Sequence, residues 1–180
     1  MPAIDRERSI LLVVDLQSRL MPAIEDGAAV IANARRLTDA AELFHVPVLF
    51  TEQNAEGLGG TLPGLQTKTG GIARKMTFDA CRAPGFLAAL ADRPDIVVAG
   101  CETHVCVLQT VLGLLSTGRR VFAVRDALGS RRLESKETAI QRMERNGAEI
   151  VTTEMVLFEW LQTADDKRLR NILTIVKRNG

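Results

Sequence analysis

The stretch Asp95-Ile96-Val97-Val98-Ala99-Gly100-Cys101-Glu102-Thr103-His104-Val105-Cys106 changes hydrophobic period partway along, and that change constrains the fold more than any other feature of the chain. Its first half is a short, β-branched run closed by a glycine, the pattern of a strand buried on both faces. From Val105 the apolar residues recur at three- and four-residue steps through Leu108, Leu112 and Leu115, as one face of a helix does, and Gly118 stands where such a helix stops. Thr103 is the expected N-cap, which places Cys106 in the first helical turn, where unpaired backbone N–H groups favour a thiolate. A cysteine there is a candidate nucleophile. It is equally a common packing choice, because free cysteine behaves as a small buried hydrophobe.

The same alternation of strand and helix runs through the rest of the chain. Ile10 to Val14 is a buried strand ending in Asp15-Leu16-Gln17, so Asp15 either caps the next turn or lines a site above a sheet. No glycine pattern follows it, which removes the dinucleotide-binding fingerprint. Gly27 to Phe44 has helical spacing and Val48-Leu49-Phe50 is a second strand, which makes a parallel βαβ unit with a right-handed crossover. Thr51-Glu52-Gln53-Asn54 leaves that strand and opens a glycine-rich segment from Ala55 to Gly71, long enough to expect a functional loop. Within it, Gly57-Leu58-Gly59-Gly60 lacks the Lys-Ser/Thr of a phosphate-binding loop and reads as turn chemistry.

Ile72 to Met76 is a third strand with Lys75 near its carboxyl end; a lysine there is solvated unless it is buried beside a partner. Phe78, Phe86, Leu87 and Leu90 imply a turn and helix before the strand at Asp95. Arg120 to Asp126 is a fifth strand ending in another acid, Leu133 to Gly147 a helix, and Glu149 to Thr152 a sixth strand. Met155 to Leu161 and Asp165 to Arg178 are helices, the last with an apolar stripe that packs on the body or on a neighbouring subunit. His45 reads as a surface or packing residue, and Cys81 as structural or idle.

Six strands alternating with helices predict a three-layer, doubly wound α/β fold with a six-stranded parallel sheet in the order 3-2-1-4-5-6. At 180 residues the chain suits one domain, 1–180. In that order strands 1 and 4 meet at the switch point, so Asp15 and Cys106 face one crevice and Lys75 reaches in from the third strand. The charge balance, 23 basic against 22 acidic residues, gives no basic field for nucleic acid. No apolar run reaches membrane-span length, so no membrane partner is expected. The start of the chain, with Asp5, Arg6, Glu7 and Arg8, is not expected to be a signal peptide. Three cysteines without disulfide or zinc spacing predict a reducing, cytoplasmic setting.

Three short segments carry a resemblance: Val13-Val14-Asp15-Leu16-Gln17, Arg74-Lys75, and Gly100-Cys101-Glu102-Thr103-His104-Val105-Cys106-Val107 in the form G-x-x-T-x-x-C-V. With them the chain resembles the isochorismatase-like superfamily of cysteine hydrolases, which includes nicotinamidases and N-carbamoyl amidohydrolases. The resemblance implies Cys106 as nucleophile, Asp15 as general base, and Lys75 as the cation that lowers the cysteine pKa and orients the acid. It implies an oxyanion hole from the backbone N–H groups of Glu102 and Cys106, with a cis peptide between Cys101 and Glu102. Gln17, Gln53 and Thr103 are candidates for the substrate pocket. A small amide or carbamoyl substrate, a homo-oligomer and no cofactor are the corresponding expectations.

The resemblance also has departures. Metal-binding relatives carry an Asp-x-His arrangement after the second strand, where this chain has Thr51-Glu52-Gln53-Asn54, and its only histidines are His45 and His104. A histidine-rich metal site cannot be built from these, so no metal is predicted and nicotinamide is not the expected substrate. The presence of Cys106 favours acyl transfer over the acid-assisted enol-ether chemistry of isochorismatases. The competing expectation is a binding or scaffold protein that retains the crevice without turnover. A redox role is weaker, because Cys101 and Cys106 lack C-x-x-C spacing.

Overall fold

The computed structural model describes residues 3–67 and 70–178. Its strands are β1 (Ser9–Val14), β2 (Val48–Gln53), β3 (Gly71–Lys75), β4 (Asp95–Cys101), β5 (Arg120–Gly129) and β6 (Glu149–Val151). The helices are α1 (Gly27–Phe44), α2 (Ala55–Leu58), α3 (Phe86–Ala89), α4 (Leu108–Ser116), α5 (Leu133–Arg145), α6 (Thr153–Leu161) and α7 (Leu169–Lys177). All strand pairs are parallel and the order is β3-β2-β1-β4-β5-β6, as the alternation of elements predicted.

The period of two along each central strand divides the interior into two layers. Leu11 and Val13 of β1, with Val97, Ala99 and Cys101 of β4, face a core that contains Ala34, Leu37 and Ala41 of α1, Trp160 of α6 and Ile172 of α7. Ile10, Leu12 and Val14, with Ile96 and Val98, face the opposite core, built with Phe86 of α3, Val111 and Leu114 of α4, and Ile140 and Met143 of α5. Both faces of the sheet are thus covered, which is why β1 and β4 read as continuous apolar runs. The apolar stripe of the tail helix packs on this body, with Ile172 and Ile175 buried.

Two strands run further than the sequence implies. β2 continues through Thr51, Glu52 and Gln53, all buried, pairing Thr51 with Val14 and Gln53 with Lys75. These polar side chains look like the end of a strand but sit inside because each finds a buried partner, described below. β5 continues past Asp126 to Gly129 after a shift in register against β4. Asp126 therefore does not end the strand: its Oδ1 accepts from the N–H and hydroxyl of Thr153 at 2.8 and 3.0 Å, fixing the start of α6.

Gly100 is required where β4 meets β1. It has φ +129°, and a Cβ built on it would lie 2.0 Å from the carbonyl oxygen of Val14, so the two central strands close on each other only because that atom is missing. Val14 directly precedes Asp15, and Gly100 directly precedes Cys101, so this close approach borders the carboxyl ends of both strands.

Candidate active site

Asp15, Lys75 and Cys106 come together at the carboxyl ends of the strands, beside the junction of β1 and β4. Asp15 follows directly on β1 and is fully buried, with its backbone in the left-handed region at φ 49°, a conformation tolerated by aspartate more readily than by most residues. Its Oδ2 accepts from Lys75 Nζ at 2.7 Å and its Oδ1 from the Thr51 hydroxyl at 2.6 Å. Lys75 is the last residue of β3, on the edge of the sheet, yet its side chain is 0% exposed. The ammonium makes a second hydrogen bond to Gln53 Oε1 at 2.9 Å. It is a desolvated cation with two fixed acceptors, not a solvated surface lysine.

Cys106 arrives from the other side of the switch point. The backbone leaves β4 through a cis peptide between Cys101 and Glu102, as the resemblance implied. It then makes a wide helical turn, Thr103–Val107, before α4 begins. Cys106 is buried in that turn, with Sγ 4.0 Å from Gln53 Oε1, and feels the charges of both Asp15 and Lys75. Thr103 does not cap the helix. Its hydroxyl donates to the carbonyl of Gly129 at 2.8 Å, and Glu102 occupies the capping position in extended backbone without a side-chain cap.

The electrostatics depart from the expectation of a pre-formed thiolate. Burial pushes the Cys106 thiol up to about 12, and the charge of Asp15 pushes in the same direction. Lys75 pulls downward, but burial and the Asp15 charge outweigh it. Burial thus favours the thiol over the thiolate at Cys106. A thiol in that state attacks only where a base takes its proton, and the Asp15 carboxylate, whose charge acts on Cys106, is the candidate for that base.

The residues expected to line the pocket divide into two kinds. Gln17 is fully buried: its Nε2 donates to the carbonyls of Gln53 and Gly59 at 3.0 and 2.6 Å, and its Oε1 accepts from the Gln53 N–H at 2.9 Å. Thr103 is likewise fully buried and bonded to backbone. Both are therefore braces behind the site and not walls of a pocket. Gln53 belongs to the cluster itself, its amide oxygen on Lys75 and its Nε2 donating to the carbonyl of Met76 at 2.8 Å.

Glu52 is a further brace, one that the motifs do not single out. Its Oε1 accepts from the N–H and hydroxyl of Thr61 at 2.8 and 3.0 Å, and Oε2 lies 3.4 Å from Arg74 Nε. These bonds from Thr61 and Arg74 hold its carboxyl below the usual range against the opposing effect of burial. With Gln17 it fastens the glycine-rich segment over the sheet. The signal in the sequence is an acid inside a β-strand, which needs a partner if it is buried.

A cavity of about 830 Å³ meets the cluster at Lys75 and is walled by Glu52, Asn54, Glu56, Arg74, Met76 and Pro84 among others. Cys106 does not form part of its wall. Among the described residues, no group of three or more His, Cys, Asp or Glu side chains stands together as a metal site. No helix among them is long and apolar enough to cross a membrane.

A parallel sheet in this order, with a thiol, a carboxylate and an amine gathered at its switch point, places the chain in the doubly wound α/β class of folds. The chain belongs to the isochorismatase domain family, whose model matches residues 9–155. It is 33% identical over 172 residues to the zebrafish (Danio rerio) isochorismatase domain-containing protein 1, covering 94% of this chain and 61% of the relative; the chain thus spans less than two thirds of that protein. Among solved structures, the MAR1 ribonuclease from Caenorhabditis elegans superposes with a TM-score of 0.94 at 31% identity, covering 99% of this chain and 94% of the other. The YcaC gene product from Escherichia coli, described as an octameric hydrolase of unknown specificity, superposes with a TM-score of 0.90 at 26% identity, covering 97% and 91%.

Proposed function

We propose that the chain hydrolyses a C–N bond of a small amide or carbamoyl compound through an acyl-cysteine intermediate. The observation that carries this reading is the buried Asp15 carboxylate, held by Lys75 at 2.7 Å, with its charge acting on the buried thiol of Cys106. Asp15 removes the proton of Cys106 as Sγ attacks the carbonyl carbon. The tetrahedral oxyanion is met by the backbone N–H groups of Glu102 and Cys106. As the C–N bond breaks, Asp15 returns its proton to the departing nitrogen, and a water deprotonated by the same carboxylate then releases the acyl group from sulfur. Lys75 keeps the carboxylate aimed, and Gln53 fixes Lys75 in turn.

The test is ammonia release from a panel of small amides, ureas and carbamoyl compounds, with Cys106→Ala as control. The reading expects turnover of one member by the native protein and none by the variant. Retained turnover in a folded Cys106→Ala protein refutes it, and a panel without turnover combined with an inert Cys106 favours the binding or scaffold alternative. RNA cleavage is followed separately, on a gel, because the C. elegans neighbour bears the name ribonuclease; the near-zero net charge of this chain, +1, does not favour that substrate. We further propose a homo-oligomer, supported by the octameric E. coli neighbour and by exposed Ile72, Met76 and Phe78 on and just after the edge strand β3. A reducing, cytoplasmic setting is supported by three free cysteines.

A further inference from the structure

Three consecutive residues after β4 are tied, side chain by side chain, to three consecutive residues at the end of β5. Arg131 Nε donates to Glu102 Oε1 at 2.8 Å, the Thr103 hydroxyl donates to the Gly129 carbonyl at 2.8 Å, and His104 Nδ1 shares a hydrogen bond with Ser130 Oγ at 3.0 Å. The ties extend the strand pairing that ends with Cys101 beside Gly129. The β5 side is itself anchored, because the Ser130 carbonyl accepts from the Glu25 N–H at 3.0 Å and Glu25 Oε2 accepts from the Leu133 N–H at 2.7 Å. Thr103 and Ser130 are buried and belong to the core of this seam. The Arg131–Glu102 pair lies on its rim, with side chains 60% and 12% exposed.

We infer that Arg131 is a positioning residue for the oxyanion hole: its guanidinium fixes Glu102, whose backbone N–H is one of the two proposed donors, and cancels the carboxylate charge that Glu102 brings beside that donor. The inference rests on the hydrolytic reading above. Its physical basis is a conflict within one residue. A donor to an oxyanion works by offering positive potential where negative charge develops. A carboxylate carried by the same residue opposes that potential unless a cation neutralises it, and Arg131 is the cation in contact. The pair is open to solvent at Arg131, 60% exposed, and closed at Glu102, 12% exposed, so a reaction in which no oxyanion forms is what separates an effect on the transition state from a structural one.

The test uses two reagents that differ in whether an oxyanion forms. p-Nitrophenyl acetate acylates a thiol through a tetrahedral oxyanion: an S–C bond forms, the C–O bond to nitrophenolate breaks, and the thiol proton passes to Asp15. Iodoacetamide alkylates the same sulfur by displacement of iodide, with no oxyanion. Rates at Cys106, followed by peptide mass mapping in the full chain, are compared for the native protein, Arg131→Gln, Arg131→Lys and Arg131→Gln/Glu102→Gln. The expected result is a tenfold or greater loss of acylation in Arg131→Gln with alkylation unchanged within twofold. Arg131→Lys and the double variant, which restore a cation or remove the anion, recover most of the rate. Equal acylation in Arg131→Gln and native protein overturns the inference and leaves the hydrolytic reading intact. Equal losses in both reactions also overturn it, since Arg131 would then act on the thiol or the fold. A native Cys106 that is alkylated but never acylated overturns the hydrolytic reading, and the inference with it.

Discussion

Replacing Asp15 by Asn should destabilise the protein while making its thiol more acidic, two effects that a purely structural carboxylate would not combine. The ion pair with Lys75 is 2.7 Å long, with side chains 0% and 1% exposed. At an effective dielectric constant of about 20 the gross attraction across that distance is about 6 kcal/mol, most of which offsets the cost of desolvating both groups. Removing only one partner strands the other. Breaking a buried pair in this way costs about 3–5 kcal/mol, or about 6–20 °C in melting temperature for a domain of this size.

The double variant Asp15→Asn/Lys75→Met leaves no stranded charge. It should therefore be more stable than the sum of the single losses by a few kcal/mol, on the order of a strong coupling in a double-mutant cycle. The thiol responds separately. Asp15 raises the Cys106 pKa by charge and hydrogen bonding, and Lys75 lowers it. The pH profile of iodoacetamide labelling should therefore move to lower pH in Asp15→Asn and to higher pH in Lys75→Met. Well below the pKa, moving the profile by a single pH unit changes the thiolate fraction about tenfold. Chemical denaturation of the four proteins gives the cycle, and stopped labelling at several pH values gives the profiles. Additive stability losses, or a labelling profile that does not move to lower pH in Asp15→Asn, would refute the reasoning.

Gly100→Ala should destabilise the protein by more than an ordinary surface change or prevent folding, because its Cβ has no room against the Val14 backbone; expression yield and thermal unfolding check this. Glu52→Gln should loosen the segment around Thr61, seen as faster hydrogen exchange at the Thr61 N–H while the sheet stays protected. Stability should fall as pH rises from about 9 toward 12: Cys81 and Cys106 both titrate at about 12 in the folded chain against 9.0 for an ordinary thiol, so the unfolded state loses these protons first. Unfolding free energy measured across that range should decline less steeply in a Cys81→Ser/Cys106→Ser variant.

The fold is legible in the sequence because β1 and β4 are buried on both faces and the helices between strands have clear periods; strand order follows from connection rules. The three reacting side chains are legible only as an acid, an amine and a thiol at the ends of such strands, until the short motifs around them supply the resemblance. The polar tail of β2 is not legible, because Thr51, Glu52 and Gln53 are buried through contacts to Asp15, Thr61 and Lys75, most of them far along the chain. Gln17 and Thr103 read as pocket residues and prove to be braces for the same reason: a polar residue near a site faces either the substrate or the backbone behind it, and only packing decides. The raised pKa of Cys106 shows the limit of reading a helix terminus alone, since burial and the Asp15 charge exceed its effect.

The most direct test of the central claim is the mass of the protein quenched with acid within one turnover of the best substrate from the amide panel, followed by peptide mapping. The account predicts an added acyl mass confined to the peptide containing Cys106, absent in Cys106→Ala and accumulating neither on Cys81 nor on Cys101. Turnover that proceeds without any acyl mass on Cys106, under conditions that trap a thioester on a control cysteine hydrolase, would contradict it.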